Sequence, residues 1–185
     1  MSENQVKSIY LGIGSNLGNK KKNIEKAKAK LIEYNVIIEK TSNFYESLSW
    51  PNENNPKFLN VVIKIITPLS PLELFHICKS IEISLGRKKR SKNAPRECDI
   101  DIIDYDKNYM TGLINLPHPR MHKRNFVLFP LFELDKCWKH PVLNLSIKKL
   151  ISSLKKRLIK GKLNNISSGS IKVDYEMKFN NKKLK

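Results

Sequence analysis

The sequence predicts an α+β sandwich. Two observations carry the prediction: strand-like and helix-like segments interleave along one chain, and a strand over 58–67 follows another over 36–46 across a hairpin-like loop, which disfavours a doubly wound parallel sheet. Residues 8–14 alternate Ile9, Leu11 and Ile13 and read as the first strand. A Gly/Asn turn over 15–19 leads into a helix over 20–34, with Ile24, Ala27 and Leu31 on one face. The segment 36–46 is rich in β-branched and aromatic residues and reads as one strand. Residues 47–57 form a polar loop with two prolines and an exposed Trp50, before the strong strand 58–67. Ser70, Pro71 and Glu73 make a capping box with proline at the first helical position. That helix runs through Leu74, Ile77, Ile81 and Leu85 and stops at Gly86. A basic loop over 87–94 precedes a strand over 97–105. A helix over 120–134 with a break at Pro130, and another over 146–158, complete the expected domain, residues 1–160. Residues 161–185 form a basic extension, in which 170–179 alternate with strict period two and predict a half-buried strand.

Length and composition narrow the function classes. A chain of 185 residues with 40% hydrophobic content builds a core without staples. No apolar run reaches the ~20 residues of a membrane-spanning helix, no signal-peptide pattern stands at the start, and Cys78, Cys98 and Cys137 are widely spaced, so a cytoplasmic protein with reduced thiols is expected. The net charge of +18 invites a nucleic-acid reading, yet lysine dominates the basic residues and +11 of the charge lies in residues 139–185. Nucleic acid is therefore not the expected partner. Arg87, Arg90, Arg96, Arg120 and Arg124 crowd one 38-residue window, a bias toward the planar fork that grips phosphate or carboxylate.

Three segments could carry chemistry. The run Gly12-Ile13-Gly14-Ser15-Asn16-Leu17-Gly18 fits neither a dinucleotide fingerprint nor a P-loop, and reads as a tight turn needing glycine's backbone freedom. Asp99 and Asp101, two apart on a strand, project to the same face. Adjacent like charges need a cation between them, supplied either by nearby arginines or by a divalent metal such as Mg²⁺. Paired acids next to Arg87, Lys89, Arg90 and Arg96 are the layout of phosphoryl transfer. His118 stands between Pro117 and Pro119, which fix its backbone, and Arg120 and Arg124 are one helical turn apart in the predicted helix.

Taken together, YLGIGSNLG at 10–18, SNFY at 42–45, FLN at 58–60, IEISLGR at 81–87, PRECDIDII at 95–103 and LPHPRMHKRNFVLFPLFEL at 116–134 resemble the 6-hydroxymethyl-7,8-dihydropterin pyrophosphokinase family of the folate pathway. The resemblance spans about residues 8–138. It implies a ferredoxin-like αβα sandwich with a mainly antiparallel sheet, and ATP-dependent transfer of a pyrophosphoryl group to the pterin hydroxymethyl oxygen with release of AMP. It implies that Asp99 and Asp101 bind two Mg²⁺ ions. Arg87, Arg96, Asp99 and Asp101 would be catalytic, and Arg87, Lys89, Arg96, His118 and Arg124 would contact ATP. Ser47, Leu48, Phe58, Asn60 and Phe126 would line the pterin, and Glu82 would support the site. The family's aromatic-Gly before Pro-Arg is Asn93-Ala94 here. A monomer or weak dimer is expected. The competing reading is a basic ferredoxin-like RNA-binding module in which the acid pair is structural.

Overall fold

The computed structural model describes residues 7–88, 93–154, 163–164 and 170–173. Its elements run β1 (Ile9–Ser15), α1 (Lys20–Glu33), β2 (Ile37–Thr41), β3 (Phe44–Ser47), β4 (Phe58–Ile66), α2 (Pro71–Ser84), β5 (Asp99–Tyr105), α3 (Asn125–Leu134), α4 (Ile147–Ser152), β6 (Leu163–Asn164) and β7 (Ser170–Val173). One sheet joins the strands in the order β5-β1-β4-β3-β7-β6, and β2 also pairs with β4. All pairings are antiparallel except β3 with β7.

Both faces of the sheet are covered, which is why its strands show mixed periodicity. On one face Ile9, Leu11, Ile13, Val61, Ile63, Ile65, Ile100 and Ile102 pack against Ile24, Ala27 and Leu31 of α1 and Leu74, Cys78 and Ile81 of α2. On the other, Tyr10, Val62 and Ile103 pack against Val127, Leu128 and Leu131 of α3 and Ile147, Leu150 and Ile151 of α4. Each fully buried aliphatic side chain contributes roughly 1.5–3 kcal/mol. The helix starts follow their sequence signals. The Asn19 side chain accepts from Lys22 N–H at 3.0 Å, and the Ser70–Glu73 capping box forms in both directions.

Four expectations are corrected. The single strand over 36–46 is two, β2 and β3, parted at Ser42-Asn43. The ladder is nevertheless continuous there, because Ser42 Oγ accepts from Val62 N–H at 3.0 Å while Ser42 N–H donates to the Val62 carbonyl at 2.9 Å. Pro130 does not break a helix; it lies inside α3. Its missing N–H leaves the Phe126 carbonyl without an intrahelical donor, but burial of Val127, Leu128 and Leu131 outweighs the ~3 kcal/mol that proline costs. Residues 121–123 form a short 3₁₀ turn ahead of α3, so Arg120 and Arg124 do not share a helical face. The last helix of the core, α4, ends at Ser152 with Ser153 as its C-cap, short of the expected 158; residues 155–158 and residues 174–179 of the expected tail strand lie outside the described residues.

The α3–α4 side is tied to the sheet by buried polar contacts. Trp138 Nε1 donates to Asp104 Oδ2 at 2.8 Å, and Tyr10 donates to Asp135 Oδ2 at 2.9 Å. Replacing Trp138 by Phe removes the donor and strands a buried carboxylate oxygen, so urea titration should show a loss of about 1–3 kcal/mol. His140 is buried and its Nδ1 accepts from the Val142 and Leu143 N–H groups, both at 3.2 Å. Burial, with His122 nearby, depresses it to about 4 from an ordinary 6.5. Its contribution to stability is therefore full above pH 6.5 and fades as pH falls toward 4, because the unfolded chain takes up the proton first. The thermal midpoint should fall as pH drops through that window, and His140→Gln should flatten the slope.

Candidate active site

The acids occupy the edge strand of the described core. Asp99 and Asp101 of β5 stand opposite Gly14 and Gly12 of β1, which in turn pair with Asn60 and Val62 of β4. These glycines are not turn residues. They lie within β1, and of the three glycines in the 12–18 run it is Gly18, at φ +63°, that needs the left-handed region. Gly14 is required for space: a Cβ there would stand 3.1 Å from Asn60 Oδ1 and 3.4 Å from the Phe58 ring. A bare strip of β1 backbone thus separates the acids from Asn60 and Phe58. The sequence reading placed glycine's value in the turn because cross-strand register is invisible along the chain.

Every acid is cation-paired. Arg87 Nη1 lies 2.9 Å from Asp99 Oδ1, and Arg96 Nη2 lies 3.3 Å from Asp99 Oδ2. Arg124 Nη1 is 3.1 Å from Asp101 Oδ2, with His118 Nε2 3.6 Å from the same oxygen. Burial raises the Asp101 pKa, but His118, Arg124 and Lys79 outweigh it and hold the carboxyl below the ordinary range. His118 is held in place by its backbone N–H, which donates to the Ile103 carbonyl at 2.9 Å. Its Nδ1 accepts from Arg120 N–H at 3.2 Å, leaving Nε2 to face Asp101. Burial and the neighbouring arginines depress its pKa despite the Asp101 charge. Arg120 itself is exposed.

Glu82 of α2 anchors this array from below. Its side chain is 1% exposed and takes hydrogen bonds from Arg87, from Lys79 Nζ at 2.7 Å and from the Ile100 N–H at 2.7 Å. Burial raises its pKa against the pull of those donors. Arg87 is thereby shared between Glu82 and Asp99.

The arrangement around Asn60 is equally specific. Asn60 Nδ2 donates to the Tyr45 carbonyl and to Ser47 Oγ, both at 3.1 Å. The Arg96 guanidinium lies 5.6 Å from the centre of the Phe58 ring, and Arg124 lies 5.5 Å from that of Phe126. Leu48 is exposed and Trp50 is 70% exposed at the site's margin. The structure therefore gathers Arg87, Arg96, Asp99, Asp101, His118 and Arg124 into one charged cluster, with Ser47, Phe58, Asn60 and Phe126 beside it. Lys89 lies outside the described residues.

Asn16 is a site residue that the sequence reading missed. It is buried, its Oδ1 accepts from Arg96 N–H at 2.7 Å, and its own N–H donates to the Arg96 carbonyl at 3.1 Å. Its Nδ2 reaches Ser49 Oγ at 3.1 Å and the Pro56 carbonyl at 3.0 Å. One asparagine thus fixes both the arginine backbone and the root of the 48–57 loop. The only sequence signal was an asparagine inside a glycine run. Arg96 Nε is buried and has no hydrogen-bond partner among the described residues.

The family model described as 7,8-dihydro-6-hydroxymethylpterin-pyrophosphokinase matches residues 10–136. The chain belongs to this family. The 2-amino-4-hydroxy-6-hydroxymethyldihydropteridine pyrophosphokinase of Aquifex aeolicus is 44% identical over 142 residues, which are 76% of this chain and 88% of that protein. The Bacillus subtilis protein of the same name is 36% identical over 127 residues, covering 68% of this chain and 76% of its own length. A crystal structure of Plasmodium falciparum HPPK-DHPS with pteroate aligns with a TM-score of 0.63 at 17% identity, over 82% of this chain and 43% of that one, and supports the fold. Membership carries the enzyme class with it, ATP-dependent pyrophosphoryl transfer to the hydroxymethyl-dihydropterin of folate synthesis; the RNA-binding alternative has no support.

Glu82→Gln should leave Arg87 and Lys79 short of a charged partner inside the core. Because Arg87 and Lys79 are themselves 30% and 35% exposed and Arg87 keeps Asp99, the loss should be about 1–3 kcal/mol, which the urea midpoint will register.

Proposed function

We propose that the charged cluster on β5 receives the ATP polyphosphate and that the Phe58–Asn60–Phe126 side receives the pterin, with transfer occurring over the glycine strip between them. The observation that carries this reading is Arg96, whose guanidinium lies beside both Asp99 and the Phe58 ring while its Nε lacks an acceptor among the described residues. A cleft of about 190 Å³ opens on the other side of Asp101 and His118, lined in part by Phe75, Ile102 and Leu116. Its apolar walls suit the nucleotide base.

The acid pair fits Mg²⁺ as a donor set. It offers hard carboxylate oxygens on one face, and no group of three or more His, Cys, Asp or Glu side chains is assembled for a metal among the described residues, so remaining ligands fall to substrate phosphates and water. When bound, Mg²⁺ neutralises phosphate charge and aligns acceptor with leaving group. Arg87, Arg96 and Arg124 would turn from the acids to phosphate oxygens, for which their fork geometry is suited. His118 Nε2 and Arg124 would hold the far end of the polyphosphate. Asn60, its amide donors fixed by β3, would present Oδ1 to a pterin N–H. The loop rooted on Asn16, carrying Leu48 and Trp50, would exclude water over the ring. Holding the hydroxymethyl oxygen in line with the β-phosphorus supplies up to ~7–11 kcal/mol of the barrier reduction. We assign the protein to the cytoplasm, acting as a monomer or weak dimer.

The test is AMP formation from ATP, Mg²⁺ and 6-hydroxymethyl-7,8-dihydropterin. Asp99→Ala and Asp101→Ala should each lower kcat at least a hundredfold, and Arg96→Ala should lose far more activity than Lys88→Ala. An aspartate variant keeping half its turnover would remove the metal assignment.

A further inference from the structure

The tail strand continues a register row that ends at the reaction centre. Ile171 of β7 pairs with Tyr45 of β3, Tyr45 with Asn60 of β4, Asn60 with Gly14 of β1, and Gly14 with Asp99 of β5. β7 lies outside the span matched by the family model, which ends at residue 136. It is the one parallel pairing of the sheet, and β6 pairs antiparallel along its outer side through Leu163–Val173 and Asn164–Lys172. Without β7, β3 would be a four-residue edge strand held by β4 and by its contacts to Glu133 of α3. Yet β3 does demanding work: its Tyr45 carbonyl and Ser47 Oγ hold the Asn60 amide.

We propose that the C-terminal segment is a positioning element of the enzyme, a strand added in cis to β3 that fixes the Asn60 amide for the pterin. The inference rests on the site assignment above. A short edge strand frays readily, since its outward N–H and C=O groups are shared with water. Pairing on the second side immobilises its backbone, and through the Tyr45 carbonyl this sets the direction of the Asn60 side chain. The effect falls on the pterin half of the site, because Arg87, Arg124 and His118 are positioned by α2, β5 and the 116–124 segment and share no ladder with β3.

The test uses the full chain. Ile171→Pro removes an N–H from the β7 ladder, and Lys183→Pro serves as the control. Backbone amide exchange of Phe44–Ser47 should quicken at least tenfold in the first and stay unchanged in the second. The KM for the pterin should rise three- to tenfold, with kcat and the KM for ATP within twofold of the parent. A purely protective edge strand would alter exchange and aggregation but move neither KM, and that result would overturn the proposal. So would unchanged exchange, equal shifts in both KM values, or a concentration-dependent dimer in which the strand is exchanged between copies. Should Ile171→Pro fail to fold, Ile171→Gly is judged by the same criteria. Absence of pterin-dependent AMP formation in the parent would count against the site assignment alone, as exchange reads the docking without substrate.

Discussion

Two carboxylates on one face of a strand, two residues apart, are the constraint around which this molecule is organised. Same-face residues two apart on a strand stand about 7 Å apart, where two unit charges repel by roughly 2 kcal/mol if the effective dielectric constant is near 20. The chain adds a third acid, Glu82, beneath them rather than relieving the strain with neutral residues. Arg87, Arg96, Arg124 and Lys79 then become obligatory, each drawn in from a different segment. In the substrate-free protein the array is close to balanced. A polyphosphate that draws the arginines away would leave the acids in need of new cations. Nucleotide and divalent metal are thereby coupled on the proposed reading, each making room for the other's charge.

The local half of this design was legible in the sequence. Alternation put Asp99 and Asp101 on one face with Ile100 and Ile102 behind them, and both isoleucines are core residues. The capping box at Ser70 and the helix stop near Gly86 were local signals and they hold. The non-local half was not legible. Gly12 and Gly14 matter because of what lies across the sheet from them, and Asn16 matters because Arg96 comes back to it from 80 residues away. The same blindness produced the error at 36–46, where a serine side chain stands in for the backbone and hides a strand break. It also produced the error at Pro130, where tertiary burial overrides a local penalty.

The tail shows the opposite case, a local pattern whose meaning depends on its partner. Period-two alternation over 170–179 announced a strand but not which edge it joins. Its first residues, Ser170–Val173, lie against β3, the strand on which the Asn60 amide depends. The strand β7, outside the family-matched span, thus lies against β3, away from the β5 edge where the acids stand.

Arg96 then explains why the two halves of the site must act together. Its backbone is locked to Asn16 through both N–H and C=O, so its position is set by the end of β1 and not by the basic loop before it. Its guanidinium lies between Asp99 and Phe58, so a shift that improves contact with one loosens contact with the other. Asn16 also holds the root of the 48–57 loop through Ser49 and Pro56. On the proposed reading, movement of that loop over a bound ring and movement of Arg96 toward a phosphate would pull on the same buried amide. The loop over the pterin and the arginine that meets phosphate would then be coupled with no intervening domain motion, because the Asn16 side chain is hydrogen-bonded to the loop and to the Arg96 backbone.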